Sequence, residues 1–327
     1  MIKWKMTWAW TLPCLTEADV ESGVQKAVEL GFNAMEWSQA QSKFPTLFTA
    51  LCKKAGIESY YCVNPSSKAR QKFLDPEYAL QENPHCGGEP PSANDIGKVI
   101  SRKQPGCCFV QPDCLENTKK TMAKAFQDGF DGIAFDFFGY DNFHGCYCPL
   151  CNELREKYIT SHPGMERQEA DHRFSEDMIV KFHVDAVAYA RSIKADAKTT
   201  CHIYPSFYPN LLYGNRLPVD YCGQTVAWFF KPHWPLEKIK KYSDIVVREE
   251  ALYHPNSKGS PFIGFYCKDK FKDDVRSAER IREEIQIIKS SGAQGIQMVE
   301  MGHILADPGV SKVIAQELGG KPEAFSK

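Results

Sequence analysis

The sequence predicts an α/β protein, a (β/α)8 TIM barrel in which residues 1–327 form a single domain. Three observations carry that prediction. Short runs rich in aromatic and β-branched residues alternate eight times with longer, amphipathic, charged stretches. A helix–glycine–strand rhythm recurs in ELGFNAMEW, KAGIESYYC, QDGFDGIAFDF and SSGAQGIQMVE. No GxGxxG or GxxxxGK[ST] follows a strand, which weakens the competing doubly wound sheet.

Taken in order, the strands are read at residues 3–10, 33–37, 58–63, 132–138, 199–204, 225–230, 261–267 and 295–301. Each is short and mostly apolar, as parallel strands covered on both faces are. The first helix opens on Thr16-Glu17-Ala18-Asp19, a capping box, and runs through Val20, Val24, Ala27, Val28 and Leu30 to a stop at Gly31. Helices over 44–55, 115–128 and 278–291 end at Gly56, Gly129 and Gly292. Residues 244–250 fit a strand or part of a helix over 236–252. The helix is preferred, because Ile239, Tyr242, Ile245, Val246 and Leu252 share one face. Long connections after strands three (64–112) and four (139–169) follow strand C-termini, where barrel enzymes build their sites.

Composition narrows the function. Forty Lys and Arg against 41 Asp and Glu leave a formal charge of −1, so nothing in the charge points to nucleic acid. No apolar run approaches the ~20 residues of a membrane span. The N-terminus, Met1 to Trp8, lacks the apolar stretch of a signal peptide, and a cytoplasmic location is expected. In that reducing setting the 13 cysteines read as buried thiols, metal ligands or reactive groups rather than disulfides. Oligomeric state is not readable, and a homo-oligomer stays open.

The most specific motif is Cys146-Tyr147-Cys148-Pro149-Leu150-Cys151. Three thiols within six residues can converge on one tetrahedral ion, with a fourth from Cys107, Cys108 or Cys114 one βα unit earlier. Soft four-thiolate ligation favours Zn²⁺ over an iron–sulfur centre, and the spacing is not the CxxxCxxC of a radical-SAM cluster. Such an ion is structural, because four thiolates leave no open position for water.

The segment GFDGIAFDFFGYDNFHGCYCPLCNELREKY resembles the strand-four region of family 42 glycoside hydrolases, the β-galactosidases, over about 50 residues. The resemblance implies zinc ligands at Cys108, Cys146, Cys148 and Cys151, with Cys108-Phe109-Val110-Gln111-Pro112 as the upstream ligand stretch. It also implies a glycosidase acting on a small glycoside or oligosaccharide. The family's two catalytic glutamates have no counterpart. Strand four ends in Asp136-Phe137-Phe138, and residues 262–269 contain no Glu.

Glycoside cleavage needs two carboxyl groups across the sugar. Asp136 ends strand four among phenylalanines, where an unpaired carboxylate is costly, and is the candidate nucleophile or base. A loop-capping Asp is the plainer alternative. Glu300 ends strand eight and is the candidate acid, against a rim salt bridge. His202, on strand five, is a third catalytic candidate or a satisfied core histidine. Glu36, ending strand two, and Lys268, after strand seven, are candidates to bind sugar hydroxyls. Trp10, Tyr140, Tyr204, Trp228 and Tyr266 are candidates to stack on a pyranose face. Two rival functions stand beside hydrolysis. KAVELGFNAMEW followed by LCKKAGIESYYCV resembles the opening of sugar-isomerase-like and endonuclease-like barrels, in which Glu36, Asp136, His202 and Glu300 would hold a divalent metal. The missing family glutamates also allow a barrel that binds sugar without cleaving it.

Overall fold

A computed structural model describes residues 2–326 except 11, 15, 39–42, 73–105, 137, 140–144, 204–215, 228–232, 254–255 and 265–274, and the side chains of 168, 172 and 249–253. The strands are β1 (Trp4–Trp8), β2 (Ala34–Trp37), β3 (Glu58–Val63), β4 (Gly132–Phe135), β5 (Lys198–Ile203), β6 (Tyr221–Ala227), β7 (Lys258–Gly259), β8 (Phe262–Gly264) and β9 (Gly295–Val299). All pairings between them are parallel, in the order β5-β4-β3-β2-β1-β9-β8-β6, and β5 pairs β6 to close the ring. The short β7 pairs the start of β6, and β8 pairs its end. The two occupy one position, interrupted at Ser260-Pro261, so the barrel has eight staves.

The helices are α1 (Glu17–Leu30), α2 (Pro45–Ala55), α3 (Pro112–Gln127), α4 (Pro149–Ser161), α5 (Arg167–Ile193), α6 (Leu236–Tyr253), α7 (Ala278–Ser290), α8 (Met301–Ala306) and α9 (Pro308–Leu318). The capping box of α1 forms as read: Thr16 Oγ1 accepts the Asp19 N–H, and Asp19 accepts the Thr16 N–H. Gly31 (φ 90°) turns the chain off α1 in a conformation only glycine adopts freely. α6 covers the segment whose strand alternative was open, so Asp244 is helical.

Strand alternation sorts the side chains into two cores. Met35, Trp37, Val63, Ile133, Phe135, Cys201, Ile203, Val226, Ile296 and Met298 face the helices. Trp4, Met6, Trp8, Ala34, Tyr60, Ala134, Phe262 and Val299 fill the barrel. At its floor Trp4 stacks on Tyr221 (4.0 Å), and Trp4 Nε1–H and Tyr60 O–H both donate to Glu58 (3.0 and 2.8 Å). In the middle, Gln297 crosses the lumen to donate to Thr200 Oγ1 (2.9 Å). It passes Gly223, where a Cβ would lie 2.3 Å from its amide nitrogen. The lumen is a packed core closed below and in the middle, which leaves the C-terminal end of the strands for a ligand.

Strand six begins four residues earlier than its sequence signal. Its first half, Tyr221-Cys222-Gly223-Gln224, mixes polar residues into a buried strand. Among the described residues no helix is long and apolar enough to cross a membrane.

Candidate active site and metal centre

The alternation that turns Phe135, Cys201 and Met35 outward turns Asp136, His202 and Glu36 inward, at or just past the C-terminal ends of β4, β5 and β2. Asp136 is 1% exposed and Glu36 2%. His202 Nδ1 lies 3.4 Å from Asp136 Oδ1. Its other nitrogen, Nε2, is 3.2 Å from Thr225 Oγ1, whose hydroxyl proton goes to the Ile203 carbonyl (2.6 Å). With that proton committed, Thr225 can only accept, so Nε2 carries the hydrogen and Nδ1 faces the carboxyl group. A proton on either atom would turn that contact into a hydrogen bond. Burial alone pushes the imidazole well below its usual range. Phe262 stacks on the ring at 3.5 Å and Trp8 meets it edge-on at 5.1 Å, which fixes its plane.

Glu36 is flanked by the Trp10 indole and the Cys62 thiol, and burial raises its pKa to about 8. Trp10 in turn stacks on Trp8 at 4.5 Å. Cys62 feels both Glu36 and Asp136, and with burial their charges push its thiol up, so it stays protonated between them. Glu300 follows β9 as the residue before α8, with Oε2 3.7 Å from His303 Nε2, and is 14% exposed.

Asp136, His202 and Glu36, with Trp10 above, therefore gather at one mouth. Tyr140, Tyr204, Trp228, Tyr266 and Lys268 lie outside the described residues. The sequence reading missed Cys62 and Thr225. Each falls two residues after another inward position, Tyr60 and Gly223, and only the observed register makes that parity legible. Among the described residues, Glu36, Asp136, His202 and Glu300 do not form a group whose donor atoms converge as on one ion, which removes support for the isomerase-like metal arrangement.

One such group does form elsewhere. Cys108, Cys146, Cys148 and Cys151 are buried with their sulfurs within 4.8 Å of one another. Cys108 lies 3.8 Å from Cys148 and 3.6 Å from Cys151. A tetrahedron of thiolates around an ion at ~2.3 Å has edges of about 3.8 Å, so the set fits a four-thiolate metal. Pro149 opens α4, which puts Cys148 and Cys151 at a helix N-terminus that favours thiolate charge. Cys146 is held below the ordinary thiol range by the Cys108 and Cys151 thiols and by the N–H groups of Cys148 and Lys72. Arg155, buried across the Tyr147 ring, donates to the Cys146 carbonyl (2.9 Å) and pairs with Asp171 (3.2 Å). Cys107 is not in the set: its thiol points to the Pro65 carbonyl and takes a bond from Arg70. Cys114 is buried in the outer core.

The thiols join two loops. Residues 69–71 pair with 106–108 as an antiparallel ribbon (Cys108 N–H to Ala69 O, Gln71 N–H to Gly106 O). Tyr147 N–H donates to Lys72 O, and Gln71 Nε2 donates to Gly139 O. The ends of the long connection after β3 and the loop after β4 thus meet at the thiol group, one loop away from Asp136.

No protein-family model matches the chain, and no curated protein sequence matches it. Solved structures do match in fold. The glycoside hydrolase domain of PgaB (BpsB) from Bordetella bronchiseptica superposes with a TM-score of 0.60 at 11% identity, over 96% of this chain and 98% of that one. A β-galactosidase from the Antarctic haloarchaeon Halorubrum lacusprofundi gives 0.58 at 12% identity, over all of this chain and 58% of that one. The catalytic domain of the Paenibacillus polymyxa β-amylase gives 0.57 at 7% identity, over all of both. The chain thus has the TIM-barrel fold these glycoside hydrolases share.

Proposed function

We propose that the chain is a glycoside hydrolase acting on a small glycoside or oligosaccharide. The observation that carries the reading is Asp136, a buried carboxyl group at the barrel mouth 3.4 Å from His202, with tryptophan rings nearby. As a carboxylate, Asp136 serves as nucleophile or as base for water. The reaction also needs a proton donor across the glycosidic oxygen. Glu300 and Glu36 are the two carboxyl groups placed near that mouth. Trp10 offers a flat apolar face for a pyranose ring. Zn²⁺ is the ion the four thiolates suit, and there it joins the two loops beside the site without taking part in turnover.

The test is a panel of chromogenic glycosides of both anomers, read with wild type and Asp136→Asn. Hydrolysis by wild type and a loss of about 10²-fold or more in the variant is expected. A wild type that binds sugars in calorimetry yet cleaves none, with Asp136→Asn binding equally, would leave a sugar-binding barrel instead.

A further inference from the structure

Of the three carboxyl groups near the mouth, Glu36 was expected to hold sugar hydroxyls or, in the isomerase-like reading, a divalent metal. Its surroundings suit a different task. The side chain lies on the inward face of β2, is 2% exposed, and has an oxygen, Oε1, with no hydrogen-bond partner among the described residues. A buried polar atom left unmatched by its own fold is costly, and ligand contact is a reason for it to persist. The groups that act on Glu36 are Trp10 after β1 and Cys62 on β3, both hydrogen-bond donors. Beyond the thiol lie Asp136 on β4 and, paired with it, His202 on β5. No lysine or arginine among the described residues is in that group; the two donors favour the carboxylate, and burial outweighs them. Glu300, by contrast, is more exposed and has His303 beside it at 3.7 Å.

We propose that Glu36 is the proton donor of the reaction, its Oε1 delivering a proton to the oxygen of the scissile glycosidic bond. The assignment rests on the hydrolytic reading and replaces Glu300 in that role. The step balances. The Glu36 proton moves to the glycosidic oxygen as the bond from that oxygen to the anomeric carbon breaks. The bonding pair stays on the oxygen, which leaves as an alcohol. The anomeric carbon is taken by the Asp136 carboxylate, or by a water whose proton Asp136 accepts. Where Asp136 is the nucleophile, the charged Glu36 takes a proton from a water whose oxygen attacks the anomeric carbon as its bond to Asp136 breaks, which restores both groups; where water attacks directly, Asp136 gives its extra proton to solvent and Glu36 regains one from solvent. Burial, against the opposing pull of the Cys62 and Trp10 donors, raises the carboxyl group to a pKa of about 8, which suits an acid catalyst at neutral pH. Trp10 and Cys62 hold it in place, and the uncharged thiol separates it from Asp136, so the two carboxyl groups need not share one proton state.

The test has two arms. Glutamate side-chain carbon NMR of wild type and Glu36→Gln, followed from pH 5 to 10, reads the proton directly. One resonance titrating near pH 8 and missing from the variant is expected, and that resonance titrating in the ordinary carboxylate range, about 4.3, overturns the assignment. The second arm uses hexosides carrying 2,4-dinitrophenol, 4-nitrophenol or methanol, with circular dichroism to show that the variant is folded. An acid catalyst matters most for the poorest leaving group. Glu36→Gln is expected to lose roughly 10²–10⁴-fold on the methyl glycoside and to stay near wild type on the dinitrophenyl glycoside. If Glu300→Gln shows that dependence and Glu36→Gln is near wild type throughout, the assignment falls and the hydrolytic reading stands. A wild type that cleaves no member of the panel overturns both.

Discussion

A carboxyl group that keeps its proton to about pH 8 leaves a mark on stability as well as on catalysis. In the unfolded chain Glu36 ionises near 4.5, the ordinary value, and in the fold near 8. Below pH 4.5 both states hold the proton and Glu36 exerts no pull on the equilibrium. Between 4.5 and 8 the native state holds one proton more than the unfolded state, so stability falls as pH rises, by up to about 1.4 kcal/mol per unit. Glu36→Gln removes that slope. Urea midpoints measured at pH 5.5 and 7.5 are expected to lie closer together in the variant than in wild type, with the variant gaining more at the higher pH. Equal pH dependence in the two proteins would mean that Glu36 ionises normally in the fold. At this scale the sequence exposed the inward carboxyl groups Glu36 and Asp136 through their positions at strand ends, and His202 through its place within strand five. It could not expose the partner of each, because that Asp136 meets His202 and that Thr225 sets its tautomer depend on the stagger between β4, β5 and β6.

At the level of the element, one device repeats at the barrel floor. The residue before each of β2, β4 and β6 reaches back to clamp the start of the strand before it. Asn33 accepts the Lys5 N–H (2.7 Å), Asp131 accepts the Ser59 N–H and O–H (both 2.9 Å), and Asp220 accepts the Thr199 N–H and O–H (2.7 and 2.9 Å). Ser59 and Thr199 are fully buried, so removing the carboxylate strands two donors away from water. Asp220→Ala is expected to cost about 2–3 kcal/mol, read as a lower urea midpoint, with Asp220→Asn milder because an amide oxygen still accepts. A fall under 0.5 kcal/mol for Asp220→Ala would mean that the clamps add little beyond strand pairing. The glycine stops and the capping box of α1 were legible because both are local chemistry. The seventh stave was read as one strand over 261–267, whereas its paired residues start at Lys258 and pause at Pro261, which has no N–H for the ladder. Local pattern marks where a strand is apolar, and pairing is decided by its neighbours.

Across the whole molecule, the thiol group holds the loop side of the barrel together, while β8 and β9 sit on the far side of the ring from β4. This division sets what an ion can do. The eight staves, the filled lumen and the floor clamps involve none of the four cysteines, so the barrel does not need the metal to close. The ribbon at 69–72 and 106–108, the Tyr147–Lys72 bond and the start of α4 converge on the thiols. Stripping the ion leaves four thiols packed within 4.8 Å, with Cys108 pushed above its usual range by the neighbours it then faces unscreened. Elemental analysis is expected to find one tightly held zinc per chain, lost in Cys151→Ser. Hydrogen exchange on the metal-free protein is expected to speed up at 69–72, 106–111 and 146–155 and to stay unchanged in β1, β8 and β9. The thermal midpoint should fall by several degrees with the transition still cooperative. Global unfolding on chelation would make the ion a condition of the fold, as in small zinc domains. Unchanged exchange at all three segments, with no metal bound, would reduce the four cysteines to an ordinary buried cluster.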